Sequence, residues 1–204
     1  MVKVLVLDSD GVVNLFPDEK FSSRFAKEYS KDARQILRFF SEGSYDKCLV
    51  GEADVEDELE RYVEGTSWSV ESLLSYWHEG DSLVDARVLN VVEKLTQKGV
   101  SCYMATNQAN TRTKYMKDTL GFSQLFEEVF SSADIGYKKP DPLFYDMIFC
   151  DLLKMHPGLK PRDVLFFDDK EQNIFGARNA GWEGHLYNSL RFGEFKEIIE
   201  SFLL

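Results

Sequence analysis

The sequence lacks a hydrophobic run long enough to cross a membrane, since none of its 204 residues lies in a stretch approaching the roughly 18 consecutive apolar residues of a spanning helix. The first ten residues hold one short apolar run that ends in acidic residues, which is not the pattern of a signal peptide. Cysteine is also scarce, and Cys48, Cys102 and Cys150 form no CxxC pair that would bind a metal. Such spacing favours buried thiols in a reducing compartment. We therefore expect a cytoplasmic protein without a membrane partner.

Positive charge is in deficit, with 24 Lys and Arg against 35 Asp and Glu and a formal net charge of −11. A protein that binds a nucleic-acid backbone needs a basic field to displace counterions, so the composition argues against a nucleic-acid partner. Hydrophobic residues make up 44% of the chain and aromatic residues 14%, which is enough to fill a core and excludes intrinsic disorder. Because no repeat or Pro/Gly/Ser linker divides the chain, its length predicts one core with a modest insertion.

Short apolar runs that stop abruptly at polar residues predict the strands of a parallel sheet. Val2–Leu7 (VKVLVL) is almost continuously apolar, which suits a strand covered on both faces. Similar runs lie at Val100–Ala105 and Val164–Phe167, with weaker ones at Val129–Phe130 and His185–Tyr187. Helical patterns separate these runs. The alternation predicts right-handed βαβ units and an α/β fold, namely a Rossmann-like, doubly wound parallel sheet flanked by helices.

Two of the intervening helices carry end signals. Arg87–Lys98 has its apolar residues on one face, and Gly99 follows as a C-cap. Asp141 and Pro142 are typical of an N-cap and a first helical residue for the helix Leu143–Met155. Both helices therefore fall between predicted strands, as the alternation requires.

Residues 14–82 interrupt this alternation. They contain no strand-like run and indicate four short helices rich in aromatic residues. We predict a small helical cap over 14–82, inserted into an α/β core formed by 1–13 and 83–204. Within it, Trp68 and Trp77 are expected to fill the core of the cap rather than stack on a substrate.

Polar residues follow the predicted strands, at the carboxyl ends where open α/β sheets bind their ligands. They are acidic, hydroxyl, amide and lysine side chains: Asp8, Ser9 and Asp10; Thr106 and Asn107; Lys138 and Lys139; Asp168 and Asp169. Turn propensity alone does not explain two strands that end in paired acids with threonine and lysine between them. The pattern predicts a functional site at this edge of the sheet.

Four segments resemble, in order and spacing, the motifs of the haloacid dehalogenase-like (HAD) hydrolase superfamily. They are DSDGVV (8–13), ATN (105–107), KKPDPLFY (138–145) and FFDDKEQN (166–173). The similarity spans essentially the whole chain, and the helical insertion resembles the cap of small sugar-phosphate phosphatases and of the phosphatase domain of soluble epoxide hydrolase. The resemblance implies a Mg²⁺-dependent phosphatase acting on a small phosphorylated metabolite such as a sugar phosphate. We expect a monomer or a homodimer.

The resemblance implies a catalytic pair at Asp8 and Asp10. A phosphate monoester resists hydrolysis because an anionic nucleophile must approach an anion and a poor alkoxide must leave. Asp8 is expected to attack phosphorus and form an aspartyl-phosphate. Asp10 is expected to protonate the leaving oxygen and then to deprotonate the hydrolytic water. Residues two apart in an extended strand point the same way, which suits this division of roles.

The second and third motifs imply the phosphate site. Thr106 and Asn107 are expected to hold a phosphate oxygen. Lys139 is expected to bind substrate and to offset the charge of the phosphate and the nucleophile, with Lys138 as the alternative register. Gly11 is assigned to the same substrate-binding group because it permits the tight turn into the cap-bearing loop.

The fourth motif implies a metal site. Mg²⁺ is a hard cation that one or two carboxylates hold together with waters and a substrate oxygen. The family pattern implies Asp169 as a direct ligand, joined by the Asp8 carboxylate and the Asp10 backbone carbonyl. Asp168 would act through water or pair with the motif-three lysine. Asn173 is expected to cap or stabilise the following helix.

Three alternative functions stay open. A phosphomutase on the same scaffold would return the phosphoryl group to the sugar, and a regulatory or binding protein would keep the fold without turnover. A dehalogenase is less compatible, because dehalogenases of this superfamily generally lack the acid at Asp10, since a halide leaves without a proton. His78, His156 and His185 share no spacing with a cysteine or an acidic pair, so we predict none of them as a metal ligand.

Overall fold

The computed structural model describes residues 3–15 and 20–203, and a five-stranded sheet lies at its centre. The strands are β1 (Val4–Leu7), β2 (Ser101–Thr106), β3 (Glu128–Ser131), β4 (Val164–Asp168) and β5 (Glu183–Leu186). Neighbouring strands pair in parallel, in the order β3-β2-β1-β4-β5. Each predicted strand overlaps an observed one, which confirms the parallel α/β sheet.

Over residues 20–82, all of which the structure describes, the chain forms six helices. They are α1 (Phe21–Glu28), α2 (Ser30–Ile36), α3 (Arg38–Ser41), α4 (Ser44–Leu49), α5 (Val55–Val63) and α6 (Val70–Gly80). The prediction of four short helices was therefore wrong in number. Single residues, Tyr29 and Leu37, separate the first three helices, and Leu37 keeps nearly helical angles of φ −68 and ψ −12. Neither residue is glycine or proline, so the sequence carries no signal for these breaks.

The remaining helices flank the sheet. They are α7 (Ala86–Gln97), α8 (Asn110–Asp118), α9 (Ser132–Ile135), α10 (Pro142–Met155), α11 (Glu171–Asn179) and α12 (Phe192–Leu203), with short 3₁₀ turns at Phe122–Gln124, Pro161–Asp163 and Ser189–Arg191. The predicted cap of α10 is confirmed, since the Asp141 side chain accepts a hydrogen bond from the Leu143 amide and Pro142 is the first helical residue. No described helix combines the length and apolarity needed to span a membrane.

Strand β1 is buried on both faces, as its apolar run predicts. Leu5 and Leu7 pack into one apolar cluster with side chains of α7 and α12, and Val4 and Val6 pack into another with side chains of α10 and α11. All four have no exposed surface. Burial of each such side chain contributes about 1.5–3 kcal/mol to folding, so the central strand fixes the sheet firmly.

Helices α1 to α6, here called the helical insert (residues 20–82), have an apolar cluster of their own around Phe25 and Leu59, to which Ala109 of the flanking core contributes. The chain enters and leaves the insert side by side, because the Leu15 amide donates to the Leu83 carbonyl oxygen over 2.7 Å. The division into a core of 1–13 and 83–204 and a cap of 14–82 stays a prediction, and its residues 16–19 lie outside the described chain.

One of the three cysteines is not buried, contrary to the prediction. Cys48 and Cys102 are buried, whereas Cys150 is exposed. Cys150 lies on α10, whose buried face includes Ile148 and Leu152. Two residues rotate a helix by about 200°, so position 150 faces away from the core.

Candidate active site

The carboxyl ends of three strands bring polar side chains to one edge of the sheet. Asp8 directly follows β1, Thr106 ends β2 and Asp168 ends β4. Parallel pairing places these ends side by side. All three residues are at least 96% buried, so they meet beneath the surface rather than on it.

Lys139 joins this group from the loop before α10. Its Nζ lies 2.7 Å from Asp8 Oδ1 and 2.6 Å from Asp168 Oδ2, and it donates to the Ala105 carbonyl oxygen over 2.9 Å. Lys138, the alternative in the sequence, points outward and pairs with Asp46 of the helical insert over 2.7 Å. The structure therefore brings Lys139, and not Lys138, to the buried carboxylates.

Asp168 is held on both carboxylate oxygens. Oδ1 accepts hydrogen bonds from the Lys170 amide and from Asn173 Nδ2, each over 2.9 Å. Oδ2 accepts from Asn173 Nδ2 over 3.0 Å as well as from Lys139. Burial opposes ionisation of Asp168, but Lys139 and these donors lower its pKa. Asn173, predicted to cap or stabilise α11, lies in the first turn of that helix and turns its side-chain amide to Asp168.

The charges of Asp8 and Lys139 depend on each other. Burial raises the pKa of Asp8, although Lys139 acts against this rise. Burial also disfavours the ammonium of Lys139, but Asp8 and Asp168 outweigh it and raise the pKa of the lysine. Lys139 therefore stays cationic. Its single positive charge does not fully balance the negative charge of two buried carboxylates.

Asp169 supplies a third carboxylate beside these two. One oxygen of each of Asp8, Asp168 and Asp169 lies within 4.8 Å of the others, a spacing that a single cation can bridge. Asp169 Oδ1 is buried and has no hydrogen-bond partner, and burial together with Asp168 raises the pKa of Asp169. An orphaned carboxylate oxygen fits a hard divalent ion such as Mg²⁺. Because both oxygens of Asp168 are already occupied, Asp8 and Asp169 are the better placed direct ligands.

Asp10 is held by a residue that the sequence did not single out. Gln108 is 5% exposed, and its Nε2 donates to Asp10 Oδ2 over 2.6 Å. Gln108 follows the ATN motif directly, but a neutral amide after a strand gives no signal of its own. The turn predicted at Gly11 is present, with φ +86 and its amide donating to the Asn14 carbonyl oxygen.

Asn107 contacts the backbone of Lys139 rather than open space. Its Nδ2 donates to the Lys139 carbonyl oxygen over 2.9 Å, and its Oδ1 accepts from the Lys139 amide over 2.8 Å. The contact of Asn107 with a phosphate oxygen stays a prediction. The hydrogen bonds give its side chain a different task, which is to position the lysine.

A second residue near the site that was not predicted from the sequence is Arg112 of α8. It is 3% exposed and lies against the segment by which the chain leaves the helical insert. Its guanidinium donates to the carbonyl oxygens of His78 and Asp81, over 2.9 and 2.6 Å, and to Ser82 Oγ over 3.0 Å. These three bonds anchor the exit of the insert to the core beside Asp10.

A cleft of about 520 Å³ lies between the core and the helical insert and opens over these residues. Its walls include Asp10, Asn107 and Lys139 from the core and Tyr45 and Trp77 from the insert. Trp77, predicted to fill the core of the cap, is half-buried there and also borders the cleft. The arrangement can hold an anion beside Lys139 while one carboxylate attacks and another exchanges protons.

Comparison with known proteins agrees with this geometry. A model of the haloacid dehalogenase-like hydrolases matches residues 2–181. A sesquiterpene phosphatase of Aspergillus oryzae is 31% identical over 107 residues, which are 52% of this chain and 52% of that protein. A phosphoglycolate phosphatase of Pseudomonas aeruginosa is 24% identical over 149 residues, which are 73% of this chain and 50% of that protein. The chain thus spans about half the length of the curated relatives it matches.

The fold is also similar to solved structures. A HAD family enzyme of Bacteroides thetaiotaomicron, crystallised as the wild-type protein in complex with magnesium and inorganic phosphate, superposes with a TM-score of 0.75. Identity is 19%, and the match covers 93% of this chain and 96% of the other. At that identity the likeness shows the fold alone.

Proposed function

The chain belongs to the haloacid dehalogenase-like hydrolase family, and from that premise we propose that it is a Mg²⁺-dependent phosphatase of a small phosphorylated metabolite. One observation carries the proposal. Asp8 lies against the buried Lys139, and a carboxylate oxygen of Asp169, whose Oδ1 has no partner, lies within 4.8 Å of it, with a second acid two residues on at Asp10. Phosphoryl transfer requires a nucleophile, a cationic environment for the phosphate and a proton donor for the leaving alkoxide, and these residues can supply all three.

Asp8 is the nucleophile in this proposal. Its carboxylate forms a new P–O bond as the bond between phosphorus and the ester oxygen breaks, which yields an aspartyl-phosphate. The ammonium of Lys139 stabilises the negative charge that gathers on the phosphoryl oxygens. Thr106, at the end of β2 and 1% exposed, is proposed to hold a phosphoryl oxygen from the neighbouring strand.

Asp10 moves the protons. It gives one to the leaving oxygen, so that an alcohol departs rather than an alkoxide, and it takes one from the water that hydrolyses the aspartyl-phosphate. Gln108 fixes the orientation of the Asp10 carboxylate through its short hydrogen bond. A halide leaves without a proton, so this proton donor favours a phosphatase over a dehalogenase.

The metal would be held by Asp8 and Asp169, with Asp168 beside them. When bound, Mg²⁺ neutralises charge on the nucleophile and on the phosphate. Asp168 keeps Lys139 in place through its ion pair, and Asn173 keeps Asp168 in place. The proposed cap over 14–82 covers the cleft and limits the access of bulk water.

Phosphate release from a panel of sugar phosphates, nucleotides and an aryl phosphate, with and without Mg²⁺, tests the proposal. We expect metal-dependent release by the wild-type protein and none by Asp8→Asn. Conversion between phosphate isomers without release would identify a phosphomutase instead. A folded, Mg²⁺-binding sample that turns over no ester would contradict the enzyme and support a binding protein.

A further inference from the structure

A second cavity, of about 320 Å³, adjoins the polar cleft on the far side of Asp10. We call it the aromatic lobe, and define it by Leu15, Phe21, Phe40 and Trp77 with Asp10 and Asp81 at its polar end. We propose that the aromatic lobe binds the leaving group, and that the substrate is the phosphate ester of a predominantly hydrocarbon alcohol rather than of a sugar. This inference rests on the proposed phosphatase function.

The proposed role of Asp10 as proton donor indicates why the leaving group would lie in the aromatic lobe. Asp10, Trp77 and Asp81 line both the lobe and the cleft, so they form the boundary between them. Lys139 and Asn107 lie on the cleft side, where the phosphate would be held. A proton donor must reach the oxygen that joins phosphorus to the leaving group, so the body of the leaving group extends past Asp10 and into the lobe.

The wall of the aromatic lobe is a set of rings in mutual contact. The ring centroids of Phe40 and Trp77 are 5.0 Å apart, and Phe21 lies 5.6 Å from Phe40 and 5.5 Å from Trp77. Phe40 and Trp77 are half-buried, unlike the fully buried Phe39 in the interior of the insert. Accessible ring surface is what an apolar leaving group would cover, since burial of apolar area supplies the binding energy.

Four of the eight residues that line the aromatic lobe are polar, and the two acids among them already have partners. Asp10 accepts from Gln108, and Asp81 pairs with Arg24 over 3.4 Å. Two further residues of the lining, Lys20 and Ser22, are exposed to solvent. A sugar would bring several hydroxyls here, and each one buried without a partner costs about 1–3 kcal/mol. A hydrocarbon body carries no such penalty.

A matched pair of substrates isolates this preference. Cyclohexylmethyl phosphate and glucose 6-phosphate are both primary alkyl phosphates on a six-membered ring, and they differ mainly in the hydroxyls of the leaving group. We expect the wild-type kcat/KM for cyclohexylmethyl phosphate to exceed that for glucose 6-phosphate by at least about 10-fold, in line with the discrimination that an apolar pocket gives. A preference for glucose 6-phosphate, or none, would overturn the aromatic lobe while leaving the phosphatase intact.

Variants assign the preference to the aromatic lobe. Trp77→Ala is expected to lower kcat/KM for cyclohexylmethyl phosphate by roughly 10–100-fold and to change that for glucose 6-phosphate much less. Trp68→Ala removes the same side chain from the same insert away from the lobe, and is expected to leave the ratio of the two values unchanged. An equal fall in the ratio for both variants would contradict the assignment.

Binding separates failure of this inference from failure of the proposed function. Calorimetry measures the affinity of the Asp8→Asn variant for each ester. This measurement does not depend on turnover, and the substitution leaves the residues of the aromatic lobe unchanged. We expect cyclohexylmethyl phosphate to bind at least about 10-fold more tightly than glucose 6-phosphate. If the wild-type protein releases phosphate from neither ester nor from an aryl phosphate, the phosphatase is wrong, and equal affinities of the two esters would then remove the aromatic lobe as well.

Discussion

Asn107 holds both backbone polar groups of Lys139, donating to its carbonyl oxygen over 2.9 Å and accepting from its amide over 2.8 Å. Asn107 follows β2 and Lys139 precedes α10, so two hydrogen bonds join a strand end to the loop that carries the lysine. The side chain of Lys139 then reaches Asp8 and Asp168 from a fixed base. The position of the buried ammonium therefore depends on a neutral side chain.

Asn107→Asp tests this dependence. The substitution replaces the donor with a carboxylate oxygen that faces the Lys139 carbonyl, so we expect the free energy of unfolding to fall by about 1–3 kcal/mol. Displacement of Lys139 is expected to lower kcat/KM by at least about 10-fold. Asn90→Asp makes the same change at an exposed position of α7 and serves as the control. Equal activities of the two variants would remove the positioning role.

Lys139→Met and Lys138→Met distinguish neighbouring lysines. Lys139→Met leaves two buried carboxylates without their cation, and we expect kcat to fall by at least about 100-fold, the scale of losing one preorganised stabilising group. Lys138 pairs with Asp46 at the surface, where such pairs contribute about 0–1 kcal/mol, so Lys138→Met is expected to change kcat little. Steady-state kinetics on both variants decides, and a larger loss in Lys138→Met would reverse the assignment.

Gln108→Leu tests the hold on Asp10. Without the side-chain amide of Gln108, the Asp10 carboxylate is no longer held in one orientation. We therefore expect the rate of proton donation to the leaving oxygen to fall more than that of any other step. We expect kcat to fall by roughly 10-fold or more for alkyl phosphates, which need that proton, and less for an aryl phosphate with a stable leaving anion. Gln124→Leu is the control at an exposed position. A uniform loss across both substrate types would indicate a merely structural role.

Asp169→Asn tests the metal site without relying on turnover. The variant is expected to weaken Mg²⁺ binding by at least about 10-fold in calorimetry and to abolish the rise in Tm that Mg²⁺ gives to the wild-type protein. The metal-free variant should be no less stable than the metal-free wild type, because Asp169 Oδ1 has no partner to lose and Asp168 opposes its charge. Asp118→Asn changes an exposed acid as the control. Unaltered Mg²⁺ affinity in Asp169→Asn would place the cation elsewhere.

His78 predicts a pH dependence of stability. Burial, with Arg112 nearby, lowers its pKa from 6.5 to about 4. Between these values the unfolded chain binds a proton that the folded chain refuses, so this contribution to stability is complete above pH 6.5 and is lost as the pH falls toward 4. Across this pH range the free energy of unfolding is expected to change by about 3 kcal/mol because of His78. His78→Phe keeps a ring in place and should flatten the dependence of the free energy of unfolding on pH in this window. Parallel curves for both proteins would show that another group titrates.

The strands and the charged members of the site were predictable from sequence because two simple patterns coincide. A strand covered on both faces has to be apolar throughout, so Val4–Leu7 stands out, and parallel topology brings the residues after each strand to one edge. Asp8 and Asp168 follow from that reasoning, and Lys139 from the resemblance to a family. Charge marks such residues, since a buried acid or lysine needs a partner.

The contacts of the two side-chain amides at the site were not predictable in the same way, although the sequence placed Asn107 at the site. Gln108 and Asn107 act through side-chain amides whose partners, Asp10 and Lys139, come from distant segments of the chain. An amide after a strand is equally suited to a turn, so only the folded geometry assigns its role. The breaks between the first three helices of the insert were not predicted for a related reason. Tyr29 and Leu37 are both compatible with a helix, so their sequence does not mark a helix end, and tertiary packing can override local propensity.

The hydrogen bond between Leu15 and Leu83 bears on how the protein can evolve. Because the chain leaves and re-enters the core at adjacent points, a different segment can be grafted there without moving the sheet. Closing a longer loop costs only about 0.6 kcal/mol for each doubling of its length. Selection can therefore exchange the whole segment, and the aromatic wall with it, while Asp8 and Lys139 keep their places. In the proposed phosphatase, new substrates would become accessible through exchange of this segment rather than through changes to the residues around Asp8.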